Sequence, residues 1–196
     1  MIKPIKQPDD VTCGPTSLKI ALKILGMNRP LNKLIRLCKT NSNGTSTNKM
    51  IQAILKLRLS ALYVENSTLR HIRTALKTTR KIKRAILVSY LYDLDKDRIP
   101  NPESGHWAVV DTYQSNHDRI VLLDSASGKK KSYAWPEFRR RWVDYDLKRY
   151  RLNSKTPHFK YVRRWQPQGM LVISDQSKNL PHFATLKQKT FPSELN

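Results

Sequence analysis

Apolar residues in the first part of the chain recur at helical spacing. Leu18, Ala21, Leu22 and Leu25 fall at i, i+3, i+4 and i+7. They form one stripe of a helix that ends at Gly26, a residue suited to a left-handed C-cap. Leu31, Leu34, Ile35 and Cys38 repeat the pattern in a short helix after Pro30. The polar run 41–47 supplies a capping hydroxyl for a third helix, which carries Met50, Ile51, Ile54 and Leu55 on one face. A fourth begins near Ser67, carries Ile72, Ala75 and Leu76, and closes at the basic stretch 80–84. The second half then changes period. Ala85-Ile86-Leu87-Val88 is a continuous apolar run of strand length, and residues 107–110 and 120–123, joined by the turn 115–118, read as a hairpin. Residues 169–173 form a closing strand, and Pro136 opens a short helix through Trp142. Helices first and strands after predict an α+β fold, with N-terminal helices packed on a C-terminal antiparallel sheet. The tail, 175–196, has little periodicity and is expected to be poorly ordered.

Composition narrows the class. A chain of 196 residues with 39% hydrophobic content suits one compact domain, expected over 1–174, and is too apolar for a disordered segment. No apolar run approaches the roughly 18–20 residues that span a bilayer, so no integral membrane association is expected. Residues 1–6 contain no apolar core of a Sec-type signal, which leads to an expectation of a cytoplasmic protein. Two cysteines at unrelated positions exclude a disulfide scaffold and an all-cysteine zinc site.

Charge changes the picture more. Lys and Arg number 37 against 15 Asp and Glu, a net of +22. Such an excess suits nucleic acid, an anionic membrane surface or an acidic partner, and a plain compositional bias toward Lys and Asn explains it equally well. Much of it is concentrated in residues 129–166, which hold 13 basic and 3 acidic residues and 9 of the 16 aromatics. Aromatics interleaved with arginine can stack on bases, making nucleic acid a candidate partner of this segment. The alternative is a surface insertion anchored by its aromatics, its charges simply solvated.

The candidate chemistry lies elsewhere. Cys13 directly precedes the first amphipathic helix, whose N-terminal partial positive charge favours thiolate over thiol. Gly14 and Pro15 suit a tight entry into the first turn. Gln7, six residues upstream, can bring an amide N–H beside the backbone N–H of Cys13 to form an oxyanion hole. A thiolate nucleophile needs a base, and the base an orienting group. His106 stands at the start of one strand of the hairpin and Asp124 at the end of the next, so antiparallel pairing brings the two together. No cofactor or metal is expected. Cys38 lies on an apolar stripe and reads as core. Asp93-x-Asp95-x-Asp97 lacks the glycine and the terminal glutamate of a calcium loop.

Taken together, Gln-x5-Cys-Gly-Pro (7–15), Gly-His-Trp-Ala-Val-Val (105–110) and Leu-Asp-Ser-Ala-x-Gly (123–128) resemble the C39-like cysteine peptidases of the papain-like superfamily, related to double-glycine leader peptidase domains. The resemblance covers roughly residues 5–142, with 169–174 as a last strand. It implies a papain-like α+β fold and a peptidase acting on a peptide or isopeptide bond. It also implies roles: Cys13 as nucleophile, His106 as base, Asp124 as its orienter and Gln7 as oxyanion donor. A peptide or protein substrate is then the expected partner, and the basic surface points to an acidic one. An inactive papain-like binding protein is the alternative.

Overall fold

In the computed structural model, which describes residues 2–79, 82–151, 159–184 and 188–193, the organising element is a sheet buried on both faces. Its seven strands are β1 (Ser60–Val64), β2 (Ala85–Leu91), β3 (Gly105–Gln114), β4 (Arg119–Asp124), β5 (Lys129–Ala134), β8 (Met170–Ser174) and β9 (Gln188–Phe191). They run in the order β5-β4-β3-β2-β8-β1-β9, every neighbouring pair antiparallel. A separate two-stranded ribbon pairs β6 (Val143–Arg151) with β7 (Phe159–Pro167).

Side chains along a strand alternate between faces, and the buried residues divide accordingly. Leu87, Val109, Leu123, Leu171 and Ile173 pack against α1 (Cys13–Ile24), α2 (Leu31–Leu37) and α3 (Thr47–Lys56). Ile86, Val88, Val110, Leu122 and Val172 face the other way, onto α4 (Leu69–Leu76), α5 (Trp135–Arg141), Trp142 and Phe183. Both sides being covered is why β2 and β8 read as unbroken apolar runs rather than alternating ones. Phe138 and Trp142 are fully buried, and burying a ring such as Phe138 contributes on the order of 2 kcal/mol. Trp142 also donates its indole N–H to the Gly169 carbonyl at 2.9 Å.

The α+β architecture is as the sequence predicts, with differences of detail. β1 is a strand between α3 and α4, so helices and strands are not strictly segregated. Only α1–α3 lie on the first face; α4 and α5 cover the opposite one. The basic segment 129–166 is no uniform insertion, because β5 extends the main sheet and α5 packs on it, and only the ribbon stands apart. β5 escapes a pattern reading because Tyr133 is its one buried residue, while lysines occupy the exposed edge, a common guard against edge pairing. The tail, too, departs from expectation. β9 pairs with β1, and Phe183 is buried against α4, where its ring lies 4.7 Å from that of His71. Of the two segments, 152–158, 185–187 and 194–196 lie outside the described residues. Among the described residues no helix is long and apolar enough to cross a membrane.

Candidate active site

Cys13 is the first residue of α1, so its thiol stands at the helix N-terminus, almost fully buried. Two bonds clip this helix to β3: Ser17 Oγ donates to the Trp107 carbonyl at 2.7 Å, and Trp107 Nε1 donates to the Thr45 carbonyl at 2.9 Å. Gly14 is required by the close approach of the 41–45 loop, since a Cβ there would lie 2.7 Å from Thr45 Cβ.

On β3, His106 is paired across from Tyr90 of β2, while Ala108, two residues on, pairs with Asp124 of β4. His106 and Asp124 are therefore diagonal neighbours on one face, within side-chain reach. His106 Nε2 meets Asp124 Oδ1 at 2.8 Å, both side chains buried. With Nε2 engaged, Nδ1 is the ring nitrogen left for the hydrogen bond that His106 makes with Cys13.

The electrostatics follow from these contacts. Burial disfavours the charged imidazole, but its hydrogen bond to the Asp124 carboxylate and its interaction with Cys13 outweigh it and raise His106 to about 9. Burial likewise opposes the Asp124 carboxylate, yet bonds from His106 and from the Ser127 hydroxyl and N–H hold it at about 2. The Ser127 bonds measure 2.6 Å and 2.9 Å, both to Oδ2. Cys38, by contrast, lies in the core, where burial pushes its thiol up to about 12.

Gln7 is near this group through a different set of bonds. Its backbone N–H donates to the Ser125 carbonyl at 2.8 Å, and its Oε1 accepts from Ser125 Oγ at 2.9 Å. Its amide nitrogen donates to the Asp9 carbonyl at 2.7 Å, which leaves that nitrogen a second hydrogen. The turn after Asp124 thus positions both the histidine partner and the glutamine.

Two contributors escaped the sequence reading. Ser127 belongs to a legible signal, an aspartate followed by a small-residue turn that returns an N–H to the carboxylate. Tyr92 has no local signal. Its ring packs 4.8 Å from the His106 ring, its hydroxyl lies 3.5 Å from Asp124 Oδ2, and Lys131 Nζ sits 3.5 Å over its face. The remaining candidates stay apart: the Asp95 carboxylate caps the N–H groups of Asp97 and Ile99, and among the described residues no three His, Cys, Asp or Glu side chains are grouped to hold a metal ion.

A cleft of about 510 Å³ opens beside Cys13 between the 41–46 loop, the start of β3 and the β6–β7 ribbon. The ribbon is tied to the N-terminus of α3, where Thr47 N–H donates to Asp146 Oδ1 at 3.1 Å and Thr47 Oγ1 to Gln166 Oε1 at 2.8 Å. A buried thiol–imidazole–carboxylate row at the end of an open cleft is suited to acyl transfer through sulfur.

The family model for the Peptidase_C39-like family matches residues 1–147. The chain belongs to that family. Its matched span includes Cys13, His106 and Asp124 and stops within β6. Among solved structures, the chain is similar to the peptidase domain of Streptococcus ComA, a bifunctional ABC transporter involved in a quorum-sensing pathway. Identity there is 19%, with 90% of this chain and all of that one covered, at a TM-score of 0.62. It is also similar to a double-glycine motif protease from an AMS/PCAT transporter, solved with the leader peptide. That match has 14% identity and covers 89% and 99% of the two chains, at a TM-score of 0.55. At these identities the shared property is the fold. No curated protein sequence matches the chain.

Proposed function

We propose that the protein is a cysteine peptidase that cleaves a peptide or isopeptide bond with Cys13 as nucleophile, His106 as general base and acid, Asp124 as the orienting carboxylate and Gln7 as an oxyanion donor. The observation that carries this is the buried 2.8 Å bond between His106 Nε2 and Asp124 Oδ1, beside a thiol at a helix N-terminus that also raises the imidazole. Membership of the Peptidase_C39-like family supports the same reading, as does the likeness to a protease described with a leader peptide.

His106 takes the Cys13 proton, and an imidazole that titrates near 9 is basic enough to hold a proton at neutral pH. The thiolate attacks the substrate carbonyl, and the oxyanion is met by the Cys13 N–H and the second hydrogen of the Gln7 amide. His106 then protonates the leaving amine. It next deprotonates water, which attacks the thioester and frees the acid and Cys13. Asp124 stays ionised throughout and fixes the imidazole orientation.

The test is alkylation by iodoacetamide at about pH 6, below the ordinary thiol range, read by mass spectrometry, alongside digestion of a mixed peptide library. Cys13 should be alkylated and Cys38 spared, His106→Ala should suppress the reaction, and cleavage products should vanish in Cys13→Ala. Equal alkylation of both cysteines, with no cleavage dependent on Cys13, overturns the proposal in favour of an inactive binding protein.

A further inference from the structure

The cleft at Cys13 carries charge opposite to that of the protein around it. Its charged lining consists of four acidic side chains, Asp10, Glu103, Asp144 and Asp146, and one basic one, Lys49. In a chain with 37 basic and 15 acidic residues, a lining of average composition would be basic by more than two to one. Lys49 is also engaged, donating from Nζ to the Lys39 carbonyl at 3.0 Å.

Among the described residues the two inner carboxylates form no close ion pair with Lys or Arg; the His106 charge lies near Asp144, and those of Arg164 and Lys148 near Asp146. Asp144 lies against the backbone at Gly105, the residue before His106; a Cβ there would come within 2.6 Å of Asp144 Oδ1. Its bonds are to neutral groups, the Tyr145 N–H at 2.8 Å and the Ser89 hydroxyl. Asp146 likewise receives the Thr47 N–H and, at 3.1 Å, the Gln166 amide. Among the described residues neither forms an ion pair with Lys or Arg, whereas Glu103 at the rim is paired with Arg163. Burial pushes Asp144 up to about 7, against the opposing pull of the His106 charge. Trp107, Leu147 and Tyr161 line the same cleft with apolar surface, Leu147 and Tyr161 being well exposed. Carboxylates beside apolar surface match a side chain with an aliphatic stem and a cationic head.

We propose that this cleft takes a peptide bearing lysine or arginine within two residues of the scissile carbonyl, its cation received by Asp144 and Asp146. The proposal rests on the peptidase reading and names its substrate class. It assigns the basic exterior a different task from the cleft, since acidic side chains are repelled at the point of cleavage.

Peptide aldehydes, which add reversibly to an active thiol, provide the test. Three peptides differing only in one residue (arginine, norleucine or glutamate), placed in turn at the two positions nearest the aldehyde, compete with iodoacetamide for Cys13. At one of those positions the arginine peptide should protect at about 10-fold lower concentration than norleucine, with glutamate weakest, and added salt should narrow the gap. Asp144→Asn should reduce the arginine advantage to under about 3-fold. Asp10→Asn, on an exposed loop where folding is not at stake, should reduce it partly. Equal protection by arginine and norleucine at both positions, or an advantage untouched by either substitution, overturns the charge proposal and leaves the peptidase reading standing. Failure of all the aldehydes to protect overturns the peptidase reading, and the substrate class falls with it.

Discussion

Asp124→Asn keeps the shape of the side chain and removes the charge that holds the proton on His106. The imidazole titrates at about 9 instead of 6.5 although burial opposes its charge. That difference of about 2.5 pH units, at about 1.36 kcal/mol each, is about 3 kcal/mol in favour of imidazolium. The Asp124 hydrogen bond is the largest of the contributions that raise it, ahead of those from Cys13. Losing that bond should cost on the order of 2 kcal/mol in the thiolate–imidazolium pair relative to the neutral pair, roughly 30-fold. The assay is the rate of Cys13 alkylation by iodoacetamide across about pH 5 to 10, with circular dichroism confirming the fold. The pH profile of the unsubstituted protein should carry an inflection near 9, where the imidazolium titrates. The variant should be about 30-fold slower at pH 6 and converge with it at the alkaline end. A variant rate within about 3-fold of the original at pH 6 would refute the reasoning, because the carboxylate would then not be what stabilises the ion pair.

Gln7→Ala should lower peptide turnover by about 10²-fold through loss of an oxyanion donor, while Cys13 alkylation changes less than about 3-fold; a parallel loss of alkylation would place Gln7 in holding the fold instead. Asp124 titrates at about 2 against an ordinary 3.8, so the stability it contributes is complete above 3.8 and is lost as pH falls through about 2. Thermal melts should accordingly show a steeper drop between about pH 4 and 2 for the unsubstituted protein than for Asp124→Asn. Gly14→Ala places a methyl 2.7 Å from Thr45 Cβ and should cost about 1–3 kcal/mol, seen as a lower melting temperature. Leu171→Ala, at a fully buried position in the middle of the sheet, should cost about 2–5 kcal/mol in urea unfolding.

The basic exterior and the acidic cleft together change how the net charge is understood. Tyr133, Phe138 and Trp142, three of the aromatics that suggested base stacking, are buried in the core, while Tyr161 and Trp165 on the ribbon are exposed. Tyr145 packs against Trp165 at 5.2 Å, and Arg163 lies 4.8 Å over the Tyr145 ring, so part of the aromatic–arginine pattern is internal to the ribbon. The Arg163 guanidinium covers one face of Tyr145 that a base would need.

What could be read from the chain was whatever depends on residues close together in it. The 3.6-residue stripes of α1 and α3 are local, and so is the strand–turn–strand that sets His106 diagonal to Asp124. The motif around Cys13 belongs to one helix start, and the apolar runs of β2 and β8 are likewise local. The partners of those faces could not be read, because Ile72, Phe138 and Phe183 cover the same side from positions scattered over more than a hundred residues. β1 and β9 were invisible for a related reason: each is short and gains its hydrogen bonds only from a strand distant in sequence. Tyr92 reaches His106 through the β2–β3 pairing, not through any motif of its own. The acidic cleft is the clearest case. Its carboxylates come from positions 10, 103, 144 and 146 and sit in stretches of opposite or mixed charge. The chemistry of the thiol, base and carboxylate is thus written in short segments, since bonding partners there are fixed by local geometry. The environment that chooses a substrate was decided only by tertiary packing, because electrostatic fields add over space and not along the chain.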